Sequence, residues 1–541
     1  MNIGASDIKR ALTFGSQFRR FLRTTLSLED AREVLQRRLA SRESNFLRLL
    51  RDGVYANPNS PYLRLLQWAD CAYDDIADMV GARGLEPTLE ALHDAGVYIT
   101  FDEFKGREPI VRHGRSLHVR PQDFDNPLTS RPYFYGRTGG TTGASIRIPM
   151  TWEHHRDQSV NIMLHQHAHG LVDTKLAFWF SNPDAVVVPA TMELLSFGKV
   201  PDKWFGPPRK RSHWPLPRVA FLAYFVLTGR LAGVPIALPD PIGLDDAEVV
   251  ARWAAATRDR DGSALVYGYV SQMVRMARAA ADAGLDLTGV TFSGGGEPPT
   301  PAKIKTITST GAGWVPTYYA DRVGIGFGCA RPLDDNDLHF QRDRLALVQK
   351  PQAVPGTDRT VDAFCFTSLL DSVPKILLNA VTDDYGVVEQ RSCGCPMEEL
   401  GLVEHLRHIS SYRKLTGEGI TLVGSDIERI LEHDLPSRFG GSPLDYQISE
   451  EEDGEGLTRL YLVVSPRVSV DDESAVVQTV LDALRKVDAV GPGIASVLEQ
   501  AGTLRVRRQE PVRTGAGKLM PLHVNRPPAS PKTVSDPRAD P

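Results

Sequence analysis

The stretch that most constrains this chain is Tyr135-Gly136-Arg137-Thr138-Gly139-Gly140-Thr141-Thr142-Gly143-Ala144-Ser145. Three glycines and three threonines fill residues 138–143, and side-chain bulk is almost absent. Such a loop exposes many backbone N–H groups and hydroxyls. It can curl around a phosphate chain and donate hydrogen bonds to it. Ile146-Arg147-Ile148-Pro149-Met150 follows with the alternation of a strand. The loop lacks Gly-x-x-x-x-Gly-Lys-Ser/Thr, so it is not an ordinary P-loop. Taken alone, it reads equally as a phosphate cradle or as a Gly/Thr turn between two strands.

The chain has 541 residues, beyond the roughly 250–300 at which single cores stop growing, so two or more domains are expected. Its net charge is −5, with both signs well mixed. No basic block points to nucleic acid or to an anionic membrane. Met1 to Arg20 lacks the apolar core and small-residue cleavage site of a secretory signal. Five cysteines in so long a chain do not make a disulfide framework. A reducing cytoplasm fits them better. Val219 to Leu238 is apolar but is broken by Arg230 and Pro235. Each half is too short for a bilayer of roughly 30 Å. A buried helix, a turn and a buried strand are expected there.

Residues 1–110 read mostly as helix, with apolar residues at helical spacing in Leu28–Leu35 and Phe46–Leu50. Asn57-Pro58-Asn59-Ser60-Pro61 reads as a turn, and Val97–Thr100 as a short strand. From about 146 to 380 short strands alternate with helices. Ala185–Val188 and Leu265–Tyr267 read as buried strands, Ala247–Ala256 and Ser271–Ala283 as helices. This alternation gives an α/β layer architecture. Residues 408–525 form a small α+β set: a helix around Asp426–His433, a strand at Leu460–Val464, a helix at Glu473–Val487 and a strand at Leu504–Arg507. The Pro-rich, polar stretch 526–541 reads as disordered.

Four more stretches carry chemistry. Gly294-Gly295-Gly296-Glu297-Pro298 follows the strand Val290–Ser293, and such strand ends are where α/β sheets bind ligands. Tyr318-Tyr319-Ala320-Asp321-Arg322-Val323-Gly324 follows the strand Trp314–Pro316 and offers aromatic rings, a carboxylate and a cation. Asp384-Tyr385-Gly386 offers a carboxylate in a turn, suited to two ribose hydroxyls. Arg513-Thr514-Gly515-Ala516-Gly517-Lys518 puts a lysine on a glycine-rich loop, where it can neutralise charge in a transition state. Read singly, each is also an ordinary turn or an exposed lysine.

Taken in order, these five stretches resemble the adenylate-forming superfamily of acyl-CoA ligases, adenylation domains and luciferases. The chain looks most like its phenylacetate–CoA ligase branch, as do the block from Gly96 to Arg107 and the Cys-Gly-Cys-Pro at 393–396. The resemblance runs from about residue 30 to 525. It implies an adenylate-forming fold: a large N-terminal α/β multi-sheet domain and a small mobile α+β C-terminal domain. The division is a helical part (1–110), an ATP- and acid-binding core (111–407), a C-terminal lid (408–525) and a tail. It also implies a two-step reaction. A carboxylate attacks the α-phosphorus of ATP, giving an acyl-adenylate and pyrophosphate. A thiol, usually of coenzyme A, then displaces AMP.

Residue by residue, Thr138, Gly139, Gly140, Thr141, Thr142 and Gly143 match the phosphate loop. Gly295, Gly296, Glu297 and Pro298 match the adenine-side stretch, with Tyr318 next to it. Asp384 matches the ribose aspartate, and Lys518 the lysine that stabilises the adenylation transition state. Thr142 and Arg322 join Lys518 as catalytic candidates, and Tyr319 and Asp321 join the nucleotide set. Gly294, Tyr319 and His213 are the candidates for the acid pocket.

Three departures stand out. Ala144 stands where the loop usually has lysine. The usual Tyr-Gly-x-Thr/Ser-Glu ends here in Arg322, and a guanidinium cannot bind the Mg²⁺ that the glutamate holds. Asp321 could take that role, or Arg322 could pair with phosphate. The hinge arginine is unplaced, with Arg413 as its candidate. These departures leave open an ordinary ligase with altered metal geometry, an adenylating enzyme with a non-thiol acceptor or with nitrite as substrate (amide, diazo or N–N bond formation), or a nucleotide-binding pseudoenzyme. The ligase reading implies ATP and Mg²⁺ as cofactors and CoA or an acyl carrier protein as acceptor. It implies a small acid as substrate, no nucleic acid or membrane partner, and a cytoplasmic monomer or homodimer.

Cys329, His339, Cys393 and Cys395 make a possible structural zinc set of three thiolates and one imidazole. The tight Cys-x-Cys spacing equally permits four unrelated residues, with cysteines as small buried hydrophobes. Some members of the resembled branch carry zinc in such an arrangement. Cys71 and Cys365 read as core residues. His154-His155 and His165-x-His167 fall in a helix-like stretch and read as surface or pocket-lining residues.

Overall fold

The computed structural model describes residues 5–137, 146–180, 183–206, 216–296, 299–320, 323–353, 360–411, 415–417, 420–422, 429–441, 445–452, 458–486, 491–512 and 522–524. Its backbone is a twelve-stranded sheet that changes character half-way across. The first half is parallel: β3 (Lys175–Trp179), β4 (Lys203–Gly206), β5 (Asp240–Pro241), β6 (Ala264–Tyr269), β7 (Val290–Gly295) and β8 (Gly313–Ala320). The second half is antiparallel: β9 (Val323–Gly328), β10 (Leu338–Phe340), β11 (Leu345–Ala353), β12 (Thr360–Ser368), β13 (Ala380–Gln390) and β14 (Glu404–Ser411). The spatial order is β11-β12-β13-β14-β10-β9-β8-β7-β6-β3-β4-β5. A separate hairpin, β1 (Phe134–Arg137) with β2 (Arg147–Met150), brackets residues 138–145.

Both faces of the parallel half are covered, as such sheets require. Along β3, Ala177 and Trp179 point to one core while Leu176 and Phe178 point to another. The first core takes α6 (Ala247–Asp261), α7 (Val270–Asp282) and α8 (Pro301–Thr308). The second takes α1 (Ala5–Leu22), α2 (Leu28–Ala40), α3 (Trp152–Ala168), α4 (Pro183–Leu195) and α5 (Leu216–Leu231). The antiparallel half encloses its own apolar interior of Val323, Ile325, Phe340, Leu347, Phe364, Phe366 and Leu406. Residues from Tyr446 onward build a second sheet with order β17-β16-β15-β18: β15 (Tyr446–Glu452), β16 (Thr458–Val464), β17 (Leu504–Arg508) and β18 (Leu522–Val524). Helices α9 (Glu473–Arg485) and α10 (Gly491–Ala501) accompany it. Among the described residues no helix is long and apolar enough to cross a membrane.

Several local expectations are corrected. Ala185–Val188 lies in α4, not in a strand. The ladder positions beside β3 are already taken by β4 and β6, so a strand there would have no partner. Val97–Thr100 makes one isolated bridge, Ile99 to Ala380. It stops there because Thr100 caps the short helix Phe101–Phe104, exchanging hydrogen bonds with Glu103 at 3.2 and 2.8 Å. The stretch after α5 reaches Leu238 without forming a strand, although Ile236 is buried.

Helix α3 is buried on nearly all sides although much of it is polar. Several of its polar groups are paired internally, as burial requires. Asn161 Nδ2 donates to Gln341 Oε1 (2.5 Å) and Asp343 Oδ1 (2.9 Å). Arg38 of α2 closes the cluster, pairing with Asp157 and donating to Asp343 Oδ2 (3.4 Å). Burial pushes the Asp343 carboxyl up, and the Arg38 and Arg344 guanidiniums pull it back. Arg38→Ala strands this carboxylate. It is expected to cost about 3–5 kcal/mol, read as an earlier urea midpoint.

Candidate functional site

The C-terminal ends of β6, β7 and β8 lie side by side, since the three strands are parallel neighbours. Gly294 and Gly295 close β7, pairing with Gly268 and Tyr269 of β6. A Cβ on Gly295 would lie 2.1 Å from the Thr317 carbonyl oxygen, so the two strands approach more closely than any side chain allows. Gly296 follows at φ +78°, and a Cβ there would meet the Tyr269 ring at 3.0 Å. The glycine cluster thus makes a flat backbone shelf at the strand ends, with Tyr269 standing over it.

Tyr318 and Tyr319 lie within β8, which runs four residues beyond the expected end at Pro316, through to Ala320. Successive residues of a strand face opposite ways. Tyr318 turns toward the antiparallel half and donates its hydroxyl to Asp384 Oδ2 at 2.8 Å. Asp384 itself sits in β13, paired with Ser411, rather than in a free turn. The polar Asp-Asp-Tyr-Gly run is absorbed by a register shift between Tyr385 and Val387, and Thr382 Oγ1 accepts from the Asp384 amide (3.2 Å). A bulge gives a strand the local look of a turn. The structure thus brings together two candidates that lie far apart in sequence.

Tyr319 faces the other way, toward α3. Its ring is edge-on to Phe327 with centroids 5.6 Å apart. Glu193, Tyr267 and Arg344 are its charged and phenolic neighbours. Arg344 is buried and donates to Gln158 Oε1, which also accepts from the Gly324 amide (3.4 Å). Behind this wall Tyr133 bonds His155 (2.8 Å), and His155 Nδ1 approaches Glu193 (3.4 Å). His154, His155 and His165 are buried rather than superficial. Sequence reasoning missed Gln158, Glu193, Tyr267 and Arg344. No spacing marks them, because they come from four separate elements.

The phosphate-loop residues Thr138 to Gly143 lie outside the described residues, as do Glu297, Pro298, Asp321, Arg322, Arg413, His213 and Lys518.

Cys329, His339, Cys393 and Cys395 do converge, with one ligand atom from each within 4.8 Å of the others. None of the three cysteines is in a disulfide. His339 Nε2 is 3.0 Å from Cys395 Sγ and 3.7 Å from Cys393 Sγ. Its Nδ1 lies 2.7 Å from the Leu402 carbonyl oxygen, which can only accept. Nδ1 therefore carries a hydrogen toward that carbonyl while Nε2 faces the sulfurs, the orientation of a metal-ligating imidazole. The Cys329 thiol's hydrogen bond holds Cys395 down at about 2, while that same bond and burial push Cys329 up. The donor set could hold a metal ion.

Cys329 also touches a second convergent group, Asp337 and His405. Here a cation is already present. Arg391 pairs with Asp337 and stands 3.9 Å from Cys329 Sγ. Asp337 Oδ1 holds His405 Nδ1 at 2.6 Å. This group is therefore a charged support behind the cluster, its guanidinium offsetting thiolate charge, and not a second metal position.

No protein-family model matches the chain, and no curated protein matches it in sequence. Among solved structures it is similar to 2-hydroxyisobutyryl-CoA ligase in complex with 2-HIB-AMP and CoA. Identity is 15%, the TM-score 0.54, and 90% of each chain is covered. The fold is that of the adenylate-forming enzymes. The o-succinylbenzoate CoA synthetase of Bacillus subtilis is a more distant likeness, with 11% identity, coverage of 72% of this chain and 67% of the other, and a TM-score of 0.39.

The tight shelf makes a direct prediction. Gly295→Ala forces β7 and β8 apart and is expected to cost about 1–3 kcal/mol, the usual range for overpacking, measurable by thermal or urea unfolding.

Proposed function

We infer that the protein is an ATP-dependent, AMP-forming ligase that adenylates a small carboxylic acid and passes the acyl group to a thiol, coenzyme A before others. The observation that carries this reading is the Tyr318–Asp384 hydrogen bond beside the Gly294–Gly296 shelf, at the strand ends of an adenylate-forming fold. Strand ends of open α/β sheets are where ligands bind. The shelf suits a flat adenine ring, and Asp384, held by Tyr318, suits the ribose hydroxyls. The Thr138–Gly143 loop would supply hydrogen bonds to the phosphates, and Lys518 would neutralise charge as the acid carboxylate attacks the α-phosphorus and pyrophosphate leaves. The thiol sulfur then attacks the acyl carbon and AMP departs. Tyr319 stands where the resembled pattern has glycine, and its bulk favours a small acid. Lys518→Ala is expected to lower ATP–pyrophosphate exchange by about a hundredfold or more with an unchanged unfolding midpoint. Exchange at the original rate in that variant would remove the assignment.

The Cys329, His339, Cys393 and Cys395 cluster extends the reading with a structural Zn²⁺ site. Four protein ligands leave no open position, so the ion would cross-link the chain rather than take part in catalysis. The purified protein is expected to hold one zinc per chain by elemental analysis, and Cys395→Ser to lose it together with thermal stability. A wild-type content well below one would show the cluster to be a thiol core.

A further inference from the structure

A cleft of about 490 Å³ opens at the base of the β1–β2 hairpin, lined by residues of α1, the segment before β1, and the first turn of α3. Three guanidiniums converge on it: Arg20, Arg131 and Arg156. Arg20 stands in the last turn of α1, where the helix dipole alone favours a cation. Arg131 and Arg156 come from other elements, and the dipole does not account for them. Arg156 is fixed: it donates to the Phe21 carbonyl (3.1 Å) and lies over the Phe21 ring. Neither Arg20 nor Arg131 has an ion pair with a carboxylate among the described residues. The one carboxylate lining the cleft, Glu153, accepts from the Ser130 hydroxyl at 2.7 Å. The cleft therefore carries surplus positive charge on three forked donors, the chemistry that recognises phosphate.

Its position gives this charge a use. The hairpin's four ladder pairs run from Phe134↔Met150, next to the cleft, to Arg137↔Arg147, next to residues 138–145. At about 3.3 Å per residue this spans on the order of 10 Å. Arg147 lies on the way, 4.1 Å over the Tyr135 ring.

The geometry points to a second anion site, distinct from the strand-end shelf, which binds a terminal phosphate group. Two sources carry that chemistry: the 3′-phosphate of coenzyme A, reaching the shelf with its thiol arm, or a free phosphate species such as pyrophosphate. The coenzyme A source rests on the ligase reading above.

The test is calorimetric titration of the full-length protein with coenzyme A, dephospho-coenzyme A and pyrophosphate. Wild type is compared with Arg20→Glu/Arg131→Glu and with Arg20→Gln/Arg131→Gln. Both residues are exposed, and the glutamine pair removes charge with little change of shape. Coenzyme A binding is expected to weaken by about tenfold or more in the glutamate pair and less in the glutamine pair, with dephospho-coenzyme A little affected. A fall confined to pyrophosphate supports the site with free phosphate as its occupant. Equal affinities in all three proteins for all three probes overturn it. ATP–pyrophosphate exchange consumes no thiol, so its loss in wild type would count against the ligase reading, and its presence with unchanged titrations would count against this site alone.

Discussion

The arrangement around the twelve-stranded sheet depends on keeping a polar helix dry. Helix α3 follows directly from the β1–β2 hairpin and packs against α2, α4 and β9. A buried amide or carboxylate is costly without partners. Here the partners come from residues far away in the chain: Arg38, Gln341, Asp343 and Arg344. Because these pairings are directional, they fix α3 against the β9–β11 region more sharply than apolar contact would. The hairpin at one end of α3 and the Tyr319 wall along its side inherit that placement.

The change from parallel to antiparallel ladders at β8 does the remaining positional work. On its parallel side, β8 delivers its end beside β6 and β7. On its antiparallel side, the sheet curls around its own apolar interior until Asp384 of β13 comes within hydrogen-bond distance of Tyr318. One strand thus serves two surfaces through the alternation of its side chains, Tyr318 toward the Asp384 carboxylate and Tyr319 toward the polar wall.

Much of this was legible in the sequence where one physical signal dominated. The apolar run of β6, the helical spacing of α6 and α7, and the glycines closing β7 all fall where the residues indicate. Asp384 and the Cys/His set were recognisable as chemistry, and the fold brings each to a partner. What was not legible depended on competition between segments. Ala185–Val188 has strand composition, yet β3 has no free edge to offer it. Asp384 has turn composition, yet a bulge carries it inside a strand. The wall of Gln158, Glu193, Tyr267 and Arg344 shows no period, since a helix buried on nearly all sides leaves no amphipathic stripe to read.

The short strand β10 gives the sheet a seam. It joins β14 through only two residue pairs, Leu338↔Leu406 and His339↔His405, and in the strand order this ladder links strands β11 to β14 with the rest of the sheet. The sulfurs of Cys329, Cys393 and Cys395 gather at that seam, with the Asp337–His405–Arg391 group behind them. A metal held there would act as a rivet across one of the shortest ladders among the described residues. A parting of the sheet between β10 and β14 would divide the Gly294–Gly296 shelf from the strand that carries Asp384.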